Sequence, residues 1–239
     1  GYSLTVADEE VARGNRKDIR NAVEAARAAQ PAWAAATAYN RAQVLYYLAE
    51  NLEAERQRVQ HHVGSEEFEL AIHSLFDFAA MADKFDGSVH HVPMRALSYT
   101  LNEPIGVIGV VCPPEMPLLG MVAPLAGAIA MGNSVVVLPS EGQPLPAVEL
   151  YRVLEASDVP GGVVNIVTGL LAETLKPLAE HDGVDALWCI GHPERTSEVE
   201  RLSIGNLKQT WCPQALPENS LTLLRHATQV KNVWTPYGA

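Results

Sequence analysis

The chain has 239 residues, 48% of them hydrophobic, which is enough to bury the core of one large or two small domains. Its formal net charge of −11 argues against nucleic acid and anionic membranes as partners. We expect neither a signal peptide nor a membrane span, because the first residues lack a basic segment followed by an apolar run and the most apolar stretch, residues 116–131, is interrupted by two prolines.

The cysteines and paired histidines give little sign of a shared site. Cys112, Cys189 and Cys212 are odd in number and far apart in sequence, which predicts no disulfide framework and no metal-binding spacing. Free cysteines are typical of a reducing compartment, so a cytoplasmic protein is expected. The histidine pairs at 61–62 and 90–91 also predict no metal site, because adjacent side chains diverge and no third ligand follows at a fixed spacing.

Helical periodicity dominates the first part of the chain. Apolar residues at helical spacing predict one helix over 17–29 and a second that begins at Asn40 as its N-cap. A third helix is predicted to begin at Ser65, where two glutamates in the first turn suit the helix dipole.

From residue 103 onward, short apolar strands alternate with helices. Strands are predicted over 106–111, 134–138, 163–167, 186–190 and 207–211, and helices over 118–131, 147–154, 171–180 and 194–204. Such alternation is typical of a parallel sheet that is covered on both faces. The expected fold class is therefore α/β, with an open parallel Rossmann-like sheet of about five strands.

Two further strands are predicted outside this sheet. Leu97, Tyr99 and Leu101 alternate with polar residues, which predicts a half-buried strand with one apolar face. After Pro213 the periodicity stops, and a last strand is predicted over 230–235.

Several motifs, in order along the chain, resemble those of the aldehyde dehydrogenases. They are Glu-Pro-Ile-Gly-Val-Ile-Gly-Val-Val at 103–111, Gly-Asn-Ser-Val-Val-Val at 132–137, Pro-Ser-Glu at 139–141 and Val-Pro-Gly-Gly-Val-Val-Asn-Ile-Val-Thr-Gly at 159–169. The opening helices are also similar to the family's N-terminal helices, so the resemblance covers about residues 15–212.

The segment Gln-Val-Lys-Asn-Val-Trp at 229–234 resembles the family's last strand, which belongs to its oligomerisation flap. The resemblance implies that the catalytic domain is absent, because the residues between Pro213 and this strand are too few to form one. This layout is similar to the C-terminal dehydrogenase-like unit of the family-16 aldehyde dehydrogenases. The organisation it implies is N-terminal helices over 1–89, flap strands within 90–102 and 229–239, and a Rossmann-like unit over 103–213.

The residues that the family uses for aldehyde oxidation are not matched. Its nucleophilic cysteine lies in the catalytic domain, and its oxyanion-binding asparagine corresponds to Glu115, whose carboxylate would repel a developing oxyanion. Its general-base segment corresponds to residues 211–214, which contain no acid. The resemblance thus implies no catalytic residue and no enzymatic activity for this chain alone, and each cysteine is predicted to be a small hydrophobe.

The family's cofactor site is matched only in part. Ser140 and Glu141 lie where a Lys-Pro-Ser-Glu turn holds the adenosine ribose, but Leu138 replaces the lysine. Gly191 and His192 lie where the pyrophosphate-binding helix begins, but they are followed by a proline, which lacks an N–H, and by a glutamate, which repels phosphate. We therefore expect a degenerate site without a bound cofactor, and NAD only in a complete parent enzyme.

Three functions remain open. The chain is predicted first to be a docking unit for a catalytic aldehyde dehydrogenase domain, as the C-terminal part of the same polypeptide, or for another copy of itself. The alternatives are a weak NAD-binding module and a fragment that completes an active site in another subunit. The predicted interface comprises the apolar residues of the two flap strands, Leu97, Tyr99, Leu101, Val230, Val233 and Trp234.

Overall fold

A five-stranded parallel sheet is the largest sheet of the computed structural model, which describes residues 3–6 and 9–237. In chain order the elements are β1 (Ser3–Val6), β2 (Glu9–Ala12), α1 (Arg16–Ala35), α2 (Ala38–Ala54), α3 (Arg56–Val59), α4 (Ser65–Met81), β3 (Val89–His90), β4 (Ala96–Pro104), β5 (Val107–Val111), α5 (Leu119–Ala130), β6 (Ser134–Leu138), α6 (Leu145–Glu155), β7 (Val164–Ile166), α7 (Leu171–Ala179), β8 (Ala186–Cys189), α8 (Thr196–Leu202), β9 (Gln209–Trp211), α9 (Ser220–His226) and β10 (Thr228–Pro236). Across these described residues, none of the helices combines the length and apolarity that a membrane crossing requires.

The parallel sheet has the strand order β7-β6-β5-β8-β9. Strands β5, β6 and β8 are buried along their whole length, because helices cover both faces. The strand order reverses between β5 and β8, and the carboxyl ends of all five strands lie along one edge, here called the carboxyl edge. Open α/β sheets bind ligands at such a reversal. The α/β class and the five strands confirm the prediction.

Two hydrophobic clusters hold the helices to the sheet. On one face, Val23 of α1 packs with the strand residues Val136 and Leu187 and with helices α7 and α8. On the other face, helices α2, α4 and α5 form the larger cluster, which includes Leu48 and Phe68. The N-terminal helices therefore complete the core of the sheet.

The boundaries of these helices correct parts of the prediction. Helix α1 continues beyond residue 29 through Pro31, within a run of alanines that favours helix. Thr37, not Asn40, is the N-cap of α2: its hydroxyl accepts a hydrogen bond from the Asn40 N–H at 3.1 Å. Helix α4 begins at Ser65, as predicted.

The predicted helix over 194–204 is divided in the structure. Pro193 begins a 3-10 turn, helix α8 covers seven residues, and a second 3-10 turn follows at Ile204–Asn206. Proline has no N–H and fixes φ, which suits the first turn of a helical segment. Leu207 then has a left-handed φ of 56°, which ends the helical segment and shortens the predicted fifth strand to β9.

Helix α9 was not predicted, nor were the hairpin β1–β2 and the short strand β3. Leu223 and Leu224 of α9, with Ala227 after it, are buried against the cluster that contains α5. Seven residues give only two turns of helix, too few for apolar periodicity to be recognised. The segment after Pro213 is therefore packed on the core.

A second sheet, here called the flap sheet, is antiparallel and has the order β10-β4-β3. Strand β10 pairs with β4 over nine positions, from Thr228 opposite Pro104 to Pro236 opposite Ala96. We expected from the sequence that the segment around Leu97 would have a free edge, but β4 is the central strand of this sheet. Within the described residues, the long unpaired edge belongs to β10.

Strand β4 exposes its apolar face, which carries three of the predicted interface residues. Leu97 and Leu101 are 47% and 38% exposed, whereas Ser98 is 1% exposed. Ser98 lies opposite Trp234 of β10 and opposite His90 of β3, so strands on both sides cover it. The alternation predicts that one face is apolar, but it does not tell which face meets the core.

The predicted interface residues divide between the two faces of the flap sheet. Opposite residues of antiparallel strands point to the same face. Val233 lies opposite Tyr99 and therefore shares its face with Leu97 and Leu101. The other two predicted residues, Val230 and Trp234, are 65% and 48% exposed and belong to the other face.

Candidate functional site

A cleft of about 330 Å³ opens at the carboxyl edge, beyond the ends of β5 and β6. It brings together three of the predicted cofactor residues, Ser140, Glu141 and His192. The fourth, Gly191, does not line this cleft. Its φ is 77°, and its N–H donates a hydrogen bond to the Pro213 carbonyl at 3.0 Å, which joins the loops after β8 and β9.

The turn after β6 uses its polar groups within the protein. Glu141 accepts a hydrogen bond from the Leu171 N–H at 2.6 Å and so satisfies a free donor at the start of α7. The Ser140 hydroxyl donates to the Pro114 carbonyl at 3.2 Å. Leu138, at the end of β6, is 2% exposed and contributes an apolar wall. Among residues 3–6 and 9–237, the other carboxylate oxygen of Glu141 has no hydrogen-bond donor and can accept from a ligand.

The loop after β8 contributes a row of charges. The His192 ring lies with Nε2 3.0 Å from the Cys112 carbonyl oxygen and Nδ1 3.5 Å from Glu194. Arg195, which was not predicted from the sequence, also lines the cleft and lies 3.8 Å from Glu194 and 3.3 Å from Glu198. A lone arginine after Pro193 gave no signal, since only the 3-10 turn directs it to this cleft.

This set of residues does not suit a dinucleotide diphosphate. Glu141 and Glu194 bring two carboxylates to the cleft, and the guanidinium of Arg195 is already paired with acidic side chains. An anion site needs free N–H donors or an unpaired cation. Pro193 provides no N–H at the start of the 3-10 turn. The cleft thus lies at the strand reversal, but its residues do not provide phosphate-binding chemistry.

The three thiols all lie near the carboxyl edge. Cys112 is buried, and burial raises the pKa of its thiol, which disfavours the nucleophilic thiolate. Cys189 is also buried, and its hydrogen bond to Cys212, together with burial, raises its pKa. Cys212 is partly exposed, and that same bond lowers its pKa. This contact was not predicted, because Cys189 and Cys212 are far apart in the sequence.

The histidine pairs do not form a metal centre in the structure. Residues 3–6 and 9–237 contain no group of three or more His, Cys, Asp or Glu side chains that is arranged to hold a metal ion. The rings of His61 and His62 contact each other edge to face, with centroids 5.4 Å apart. The cleft at the carboxyl edge therefore remains the candidate site.

Comparisons of the sequence and the fold with known proteins identify one family. Residues 8–212 match the aldehyde dehydrogenase family. The chain is 35% identical over 211 residues to a hydroxyisobutyraldehyde dehydrogenase from Mycolicibacterium austroafricanum, a match that covers 84% of this chain and 42% of that protein. A crystal structure from Burkholderia cenocepacia, assigned as an aldehyde dehydrogenase, has a TM-score of 0.84 at 30% identity and covers 88% of this chain and 47% of its own.

A further solved structure, PnpE from Pseudomonas sp. WBC-3, has a TM-score of 0.83 at 28% identity, with coverage of 89% of this chain and 47% of its own. PnpE has also been solved in complex with nicotinamide adenine dinucleotide. The chain spans less than half the length of each of these relatives. Because the family match extends over most of its residues, the chain belongs to the aldehyde dehydrogenase family.

Proposed function

We propose that this chain is a non-catalytic aldehyde dehydrogenase unit that docks, through its flap sheet, on a catalytic dehydrogenase domain. That domain precedes it in the same polypeptide, in the arrangement of the family-16 enzymes, and a second copy of this chain is the alternative partner. Three free cysteines are consistent with a cytoplasmic setting for this role.

The observation that carries the proposal is the short, packed connection between β9 and β10. It begins at the carboxyl edge, where Pro213 accepts from the Gly191 N–H. It ends beyond α9, where the Ala227 carbonyl accepts from the Asn133 amide at 2.8 Å. Residues 213–227 thus serve as a crossover, and they leave no chain from which a separate nucleophile-bearing domain is built.

An aromatic contact also fixes this connection. The ring of His226 stacks on Trp211 with centroids 3.9 Å apart and an interplanar angle of 12°. Trp211 in turn meets the buried Trp188 edge to face at 5.4 Å. These contacts hold the end of α9 against β8 and β9, so β10 starts from an anchored position.

The flap sheet offers both an edge and apolar surface for docking. Strand β10 covers nine residues, and its outer edge has no partner strand in the described part of the chain. Such an edge binds another strand through its unpaired N–H and C=O groups. The exposed side chains of Leu97, Leu101 and Trp234 add apolar area on either side of that edge.

Docking is tested by light scattering coupled to gel filtration. The substitution pair Tyr99→Asp and Trp234→Ala alters both faces of the flap sheet and should shift an oligomeric chain towards monomer with unchanged helical circular dichroism. The control pair Tyr39→Asp and Tyr151→Ala alters two exposed tyrosines outside the flap sheet and should leave the mass unchanged.

If the native chain is already monomeric, the same variants are titrated against the separately produced catalytic domain. A weakened complex only for the flap pair is the expected result. Equal binding by the native chain, the flap pair and the control pair refutes docking through the flap sheet.

Weak NAD binding is the second candidate, because the cleft lies at the strand reversal, where open α/β sheets bind ligands. We expect no NADH formation from aldehydes and NAD binding weaker than about 1 mM, equivalent to about −4 kcal/mol, by calorimetry. Leu138→Lys with Glu194→Ser should tighten binding by adding a donor and removing a carboxylate. A micromolar dissociation constant for the native chain would instead favour the NAD-binding module.

A further inference from the structure

Two cysteines occupy neighbouring positions on adjacent parallel strands. Trp188 of β8 pairs in register with Trp211 of β9, so the residues that follow them, Cys189 and Cys212, lie side by side. The strands stay together beyond this point, as shown by the hydrogen bond from the Gly191 N–H to the carbonyl of residue 213. Both side chains also belong to one hydrophobic cluster, Cys189 within it and Cys212 packed against it.

The distance between the strands is suited to a cross-link. Paired strands lie about 4.8 Å apart, within the range of about 4.4–6.8 Å that disulfides require between Cα atoms. The Cβ atoms must approach to about 3.8 Å, a movement of about 1 Å for regular strands. Cys212 lies one residue beyond the last residue of β9, between the paired Trp211 and the hydrogen-bonded carbonyl of residue 213.

The two thiols differ in ways that assign their roles. Cys212 is partly exposed, and its interaction with Cys189 lowers its pKa, which makes it the more readily deprotonated of the two thiols. Cys189 is buried between the sheet and α8, and it stays protonated because this interaction and its burial raise its pKa. An oxidant that arrives from solvent therefore meets Cys212 first.

We propose that Cys189 and Cys212 form an oxidation site that reacts with a hydroperoxide to give a disulfide between β8 and β9. The Cys212 thiolate attacks a peroxide oxygen, the O–O bond breaks, and hydroxide leaves and is protonated to water. Cys189 then loses its proton and attacks the sulfenic sulfur of Cys212; the S–S bond forms, the S–O bond breaks, and a second water leaves. Two thiols lose two electrons, which reduce hydrogen peroxide to two waters.

The third cysteine provides an internal control. Cys189 lies opposite Val111 of β5, so Cys112, one residue later, points to the other face of the sheet. Its buried side chain belongs to the opposite hydrophobic cluster. It is therefore separated from the pair by the sheet itself and is excluded from the cross-link.

The test is to treat the whole chain with one equivalent of hydrogen peroxide, unfold it, alkylate it with N-ethylmaleimide and determine its mass. The reduced chain should take up three adducts and the oxidised chain only one, at Cys112. A peptide map should recover one intrachain link between Cys189 and Cys212. Because this measurement uses the native chain, its result does not depend on whether a variant folds.

Substitutions separate the two roles. Cys189→Ser should leave a sulfenic acid on Cys212 that dimedone traps, and Cys112→Ser should form the disulfide as the native chain does. Three adducts after peroxide, a link that includes Cys112, or a link between two chains would overturn the proposal. The inference does not depend on the docking role, because it concerns the monomer alone.

Discussion

Replacing Asn133 by alanine should cause the largest loss of stability among the polar substitutions suggested by this structure. The side chain is fully buried. Its Oδ1 accepts from the N–H groups of Ile105 and Gly106 at 2.8 and 3.0 Å, where β4 leads into β5. Its Nδ2 donates to the carbonyls of Ala128 and Ala227 at 2.9 and 2.8 Å. One amide thus joins α5, the β4–β5 junction and the end of α9.

The size of the stability loss depends on which backbone groups lose their hydrogen-bond partner. The Gly106 N–H is buried, and the Ile105 N–H is only partly so, which allows water to replace one of the two bonds. The Ala128 carbonyl keeps a hydrogen bond from the N–H of residue 131, whereas the Ala227 carbonyl loses its link to the core. At about 1–3 kcal/mol for each buried group left unpaired, Asn133→Ala should cost about 3–4 kcal/mol.

Urea unfolding followed by tryptophan fluorescence measures this loss, and a melt should show a decrease of about 10 °C. The matched control is Asn165→Ala, which removes a half-buried amide with only two hydrogen bonds, to the carbonyls of Val135 and Gly162, and should cost about 1–2 kcal/mol. Limited proteolysis should cut Asn133→Ala first within residues 213–237. A loss below about 1 kcal/mol, or one no larger than the control's, would refute this role.

Two further predictions concern backbone strain at Gly106 and the titration of His226. Gly106→Ala should lower the free energy of unfolding by about 3 kcal/mol or more, because φ is 134° there and a Cβ would collide with the Asp185 carboxylate. The control Gly142→Ala, whose Cβ meets open space, should change that free energy by less than about 0.5 kcal/mol. Burial lowers the pKa of His226 in the folded state, so the unfolded chain binds more protons as pH falls below about 6.5, and folding stability decreases there. His226→Phe keeps the stack on Trp211 and should flatten that decrease between pH 7 and 5.5 in urea titrations; an unchanged slope would contradict this.

The parallel sheet was predictable because its signal is local and repeated. Val107–Val111 and Ser134–Leu138 are continuous apolar runs that are buried on both faces. Gly132, with φ of 89°, ends the helix between them, as the sequence predicted. Each strand and its crossover can therefore be recognised within about thirty residues, the length of a βαβ unit.

The cleft was predicted less completely, because its contacts join distant parts of the chain. Glu141 was identified, but its bond to the Leu171 N–H depends on where α7 begins. Arg195 was missed because a 3-10 turn, and not a continuous helix, directs it to the cleft. The contact between Cys189 and Cys212 depends on the register of β9 against β8, which composition does not encode.

The flap sheet is anchored at its base and exposed at its far end. Its base is fixed, because β4 continues into β5 and β10 begins directly after the contact between Ala227 and Asn133. Its far end extends to Pro236, and Trp234 there is 48% exposed. A sheet of two long strands and one short strand has little core of its own, so apolar side chains on both faces gain most by burial against another surface. The short connection between β9 and β10 keeps that surface in place, and this is the structural basis on which we propose docking as the function.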